Sequence, residues 1–144
     1  MDRSKLLIVV VASIGLSFAV GCSRGPARGG VSGTVTLDGK PLGGVIVVFH
    51  PLEHQAPLAR GTSTETGTFV LEADDGGNGV VVGNYRVVVL DPQAIAGALI
   101  SRQNAGQTAG RVPPRYQSWD QTPLEIEVES ENAEVEVPLQ TVDG

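Results

Sequence analysis

Leu124-Glu125-Ile126-Glu127-Val128-Glu129-Ser130-Glu131-Asn132-Ala133-Glu134-Val135-Glu136-Val137-Pro138-Leu139 decides the fold class of this chain. Apolar and acidic residues alternate through it: Leu124, Ile126 and Val128 against Glu125, Glu127 and Glu129, then Val135, Val137 and Leu139 against Glu134 and Glu136. A period of two belongs to a strand with one face buried and the other in water. Ser130 to Ala133 reads as the turn that closes these two strands into a hairpin with one apolar and one acidic face. The glutamate stripe reads as a solvated face that discourages edge pairing rather than as a ligand site.

The same alternation recurs upstream, in Val31, Val35 and Leu37, in Val45, Val47 and Phe49, in Phe69 and Leu71, and in Tyr85, Val87 and Val89. Valine enrichment supports strands, and Asp38-Gly39, Thr66-Gly67 and the stretch from Asp74 to Gly79 supply turn chemistry between them. Runs near 31–37, 45–50, 58–64, 68–72, 83–91, 124–130 and 133–139 give about seven short antiparallel strands, as in an immunoglobulin-like sandwich. The fold class expected is therefore all-β. Gln93 to Arg102 predicts one short turn of helix within a Gly- and Ala-rich loop. Gly33, inside a strand, predicts a bulge or a close sheet contact, and Tyr85 is expected to pack its ring at the sandwich edge.

The N-terminus has a different logic. Arg3 and Lys5 precede an apolar run from Leu6 to Val20, and small residues lead into Cys22. This is the layout of a secretory signal, and the run is short of the ~20 apolar residues of a membrane span. Ala19-Val20-Gly21-Cys22 resembles the bacterial lipobox, with Ala19 where leucine is usual. Cleavage before Cys22 and lipidation of its thiol, with acyl chains such as palmitate, would tether the chain to a bacterial membrane on the periplasmic or cell-surface side. Cys22 is the single cysteine of the 144 residues, so no intramolecular disulfide competes for it. The organisation expected is a signal peptide at 1–21, a flexible tether at 22–30 and one β-sandwich domain at 31–140. Loss of residues 1–21 removes Arg3, Lys5 and Asp2, leaving eight Lys and Arg against fifteen Asp and Glu, a net of −7. That acidity disfavours nucleic acid and anionic lipid as partners.

The residues Val31-Ser32-Gly33-Thr34-Val35-Thr36-Leu37-Asp38-Gly39-Lys40-Pro41-Leu42, Val45 to Pro51, Thr64 to Phe69 and Gly83-Asn84-Tyr85-Arg86-Val87 resemble the carboxypeptidase regulatory-like domain. Val112 to Tyr116 and Thr122-Pro123-Leu124 resemble the form of that domain found in short bacterial lipoproteins. The resemblance implies a transthyretin-like sandwich that is not itself catalytic. The chain departs from it in the turn before Phe69, which usually carries Asp and Gly, whereas here Glu65 and Thr66 precede Gly67.

Few residues offer chemistry. His50-Pro51-Leu52-Glu53-His54 matches the inverted zinc-protease pattern, which needs both histidines on one helical face. Here His50 ends a valine-rich run and Pro51 disfavours helix at the residue before it, so a zinc hydrolase at His50, Glu53 and His54 is the remote reading. Asp74 to Gly79 lacks the spacing of a calcium loop and reads as a turn. With Cys22 taken by the anchor and both histidines in one loop, no nucleophilic triad can be assembled. No cofactor is expected. Arg115, Tyr116 and Trp119 form the candidate recognition patch, since aromatics and arginine dominate binding hot spots. The leading expectation is a non-catalytic, lipid-anchored envelope module with a structural or protein-contact role. The alternative is a binding protein for carbohydrate or another small ligand at Tyr116 and Trp119, with burial of those rings as the competing reading.

Overall fold

The computed structural model describes residues 25–53, 55–101 and 110–142; the signal segment, Cys22 and His54 lie outside them. The strands are β1 (Arg28–Gly29), β2 (Val31–Leu37), β3 (Lys40–Pro41), β4 (Ile46–Pro51), β5 (Ala59–Thr62), β6 (Thr68–Ala73), β7 (Val80–Val81), β8 (Gly83–Leu90), β9 (Glu125–Val128) and β10 (Ala133–Leu139). Helix α1 covers Pro92–Ser101, and a 3-10 turn covers Pro114–Tyr116. The protein is all-β, and its seven longer strands fall on the seven runs expected from the sequence. The helix is longer than the single turn expected.

The long strands are ordered β10-β2-β6-β5-β4-β8-β9. β5 and β6 pair at Ala59↔Ala73 and Arg60↔Glu72, with Asp74 N donating to Leu58 O and Thr64 N to Thr68 O, both at 2.8 Å, on either side, and the sheet as a whole is curled. β6 joins the two halves, pairing with β2 on one side and with β5 on the other. Alternation aims one face of each strand inward, visible as strictly alternating burial along β6 and along β10 from Glu134. The interior is valine-rich and centred on Phe49, whose ring lies 6.4 Å from Phe69 and 5.7 Å from Tyr85. Tyr85 is thus in the middle of the core, not at its edge. Burial of the ring is compatible with its hydroxyl because that group donates to Val81 O at 2.7 Å.

The C-terminal hairpin expected from the sequence does not form. β9 pairs antiparallel with β8, from Gly83↔Val128 to Arg86↔Glu125. β10 pairs in parallel with β2, from Ala133↔Val31 to Leu139↔Leu37, so the sandwich is not wholly antiparallel. Alternation fixes which face of a strand is buried but says nothing about its neighbour. Gly33 makes the β10–β2 contact possible: a Cβ there would overlap Val135 O and come within 2.6 Å of Phe69 Cζ. The close sheet contact expected at this glycine is present. Asp38 and Gly39, at φ 50° and 80°, form the two-residue turn from β2 to β3.

Within the stretch read as a tether, residues 27–29 are held to the body. Val82 N donates to Ala27 O at 3.0 Å, and Arg28–Gly29 pairs with Val80–Val81. Arg28 also forks onto Asp75, at 3.1 and 2.7 Å. These contacts gather at the end of the sandwich where β8 begins, and α1 follows the end where β8 stops.

Candidate functional site

Tyr116 and Trp119 are separated by the fold. Tyr116 is 4% exposed and belongs to the core. Its hydroxyl accepts from Gln140 N at 3.2 Å and from Arg115 Nη2 at 3.1 Å. Arg115 lies over the Tyr116 ring, 4.8 Å from its centroid, and donates to Gln140 O. Arg115 and Tyr116 therefore fasten the C-terminal segment to the 3-10 turn, which is a packing role. Trp119 is 60% exposed and does not share that work.

Trp119 instead borders a groove of about 290 Å3 lined by His50, Pro51, Leu52, Glu53, Ala56 and Arg86. Strand register builds its floor. His50 on β4 faces Arg86 on β8, and Arg86 faces Glu125 on β9, so the three form one row across neighbouring strands. Arg86 Nη2 donates to Glu125 Oε1 at 2.9 Å and Nη1 reaches Trp119 O at 3.4 Å. This pair orients the guanidinium and ties the Trp119 segment to the sheet. Arg86 Nε is buried without an acceptor among the described residues. Leu52 N donates to Asn84 O at 2.9 Å, setting the loop after β4 beside the start of β8. A Cβ on Gly83 would stand 3.1 Å from Glu53 Oε2, so glycine there leaves room for the carboxylate. Partial burial holds the His50 imidazole below its ordinary pKa, favouring the neutral ring near neutral pH.

The zinc pattern meets this geometry unfavourably. His50 lies on β4 and Glu53 follows the strand's end, so they do not share a helical face. His54 is outside the described residues, among which no group of three or more His, Cys, Asp and Glu is placed to hold a metal ion.

A roomier hollow of about 370 Å3 lies beside β2, β5 and β6 and is lined by Ser32, Thr34, Thr62, Thr64, Thr68 and Val70 among others. The hydroxyl of Thr64 is hydrogen-bonded to those of Thr66 and Thr68, at 2.9 and 2.7 Å. That satisfies part of its polar lining internally.

A second polar centre was not evident in the sequence. Asp91, 2% exposed, accepts from Arg111 Nε at 3.0 Å, Arg111 Nη2 at 3.1 Å, Arg111 N at 3.2 Å and Gln93 N at 3.1 Å. The guanidinium beside it, foremost, and these amides hold its carboxyl below the usual range. Arg111 also donates to Gly43 O at 2.9 Å. Among the described residues these contacts are all internal, so the centre closes the base of the α1 excursion. Only the spacing of an Asp and an Arg at the two ends of a long loop could have hinted at it. Arg86 was equally hidden, because its position beside His50 depends on strand register.

No family model, curated protein or solved structure matches the chain. The fold and the groove define a β-sandwich protein with an exposed tryptophan-edged cleft.

Proposed function

We propose that this protein is a non-catalytic module of the bacterial cell envelope, exported by residues 1–21 and anchored to a membrane by lipid on Cys22, where it serves a structural or protein-contact role. The observation that carries the proposal is the series Arg3 and Lys5, the apolar run Leu6 to Val20, and Ala19-Val20-Gly21-Cys22. The resemblance to the carboxypeptidase regulatory-like domain supports a non-enzymatic role. The fastening of residues 27–29 to the sandwich is compatible with a short link between anchor and domain, since Ser23 to Ala27 can span at most about 17 Å. The acidic chain makes a protein surface a better partner than nucleic acid.

Metabolic labelling with a fatty acid tests the anchor in cells. The wild-type chain takes up label and sediments with membranes, and Cys22→Ser does neither. Label retained by Cys22→Ser refutes the proposal.

A further inference from the structure

We propose that the groove edged by Trp119 and floored by Arg86 and His50 is a binding site for a neutral saccharide of one or two rings. Three observations converge on this ligand chemistry. Trp119 is held by its backbone to Arg86 while most of its side chain remains in water. An exposed aromatic face is apolar, and the C–H face of a sugar ring covers such a surface without giving up its hydroxyls.

The polar lining is mixed in kind. Arg86 offers donors, Glu53 acceptors, and the neutral His50 imidazole one of each. A sugar hydroxyl both donates and accepts, so a vicinal pair can serve such a set. A ligand of a single charge cannot. An anion meets Glu53 and finds Arg86 already paired with Glu125 at 2.9 Å, and a cation meets Arg86 itself. The dimensions agree as well: about 290 Å3 is at the small end of ligand sites, where one or two rings fit and a longer chain would extend beyond the lining.

Trp119 is the single tryptophan of the chain, so its fluorescence reports on this groove alone. The full chain, in a detergent without a sugar headgroup, is titrated with maltose, cellobiose and chitobiose, and with glucuronate and glucosamine as charged controls. At least one neutral disaccharide gives a saturable change in emission below about 10 mM, the range of the weakest specific affinities, and the charged sugars give none. Calorimetry with Trp119→Ala shows binding weakened roughly tenfold or more, and Trp119→Phe restores part of it. Both variants melt near wild type, because the residue is exposed. The proposal is overturned by silence from all three neutral disaccharides, by tighter binding of a charged sugar, or by undiminished binding to Trp119→Ala.

Discussion

The carboxylate of Asp91 shows what single residues contribute. It is almost fully buried, and Arg111, itself partly exposed, supplies most of its compensation. Removing one partner of such a pair leaves an unsatisfied buried group, so Asp91→Ala should cost about 2–4 kcal/mol in urea unfolding, the upper end being that of a fully desolvated pair. The folded-state pKa of Asp91 lies below its ordinary 3.8. Its contribution is therefore complete above that value and lost as pH falls through the folded pKa. Wild type should lose stability over this acid range faster than Asp91→Asn does. Parallel acid profiles for the two proteins would contradict the role given to Asp91. The residues of the groove were unequally legible for a related reason. His50 and Glu53 stood out within a short motif, and Trp119 as the single tryptophan. Arg86 acquires its meaning only from the strands on either side of it. Tyr116 looked like part of a recognition patch, but its ring has an apolar body that fills the core and a hydroxyl that finds partners there.

At the scale of elements, strand positions followed directly from alternation, and partners did not. The acidic-apolar run 124–139 gave two strands and their buried faces correctly, yet β9 and β10 take opposite edges of the curled sheet. Pairing is decided by edges that exist only once the sandwich has formed, and by room such as that above Gly33. Gly33→Ala should push β10 from β2 and cost about 1–3 kcal/mol, with faster hydrogen exchange concentrated in Val135 to Leu139. Unchanged protection in that strand would show that the parallel contact is not limited by this glycine. The N-terminal fastening is a separate element. Arg28, through its hydrogen bonds, holds Asp75 down to a pKa of about 2, so their pairing persists until the pH falls toward that value. Arg28→Ala should speed exchange of the Val82 amide, which donates to Ala27 O, while the global unfolding midpoint stays near wild type. A large shift in that midpoint would mean that β1 is integral to the sandwich instead of clipped to it.

For the molecule as a whole, composition, turn chemistry and alternation made the all-β class readable, since each depends on local sequence. The strand order of the curled sheet, the parallel β10–β2 closure and the groove were not readable, because each joins residues far apart in the chain. Lipidation of Cys22 is the central proposal, and intact-mass and peptide mass spectrometry of the protein recovered from membranes tests it most directly. The predicted result is a mature chain that begins at Cys22 and carries diacylglycerol on its thiol. A chain that begins elsewhere, or begins at Cys22 with an unmodified thiol, would contradict it.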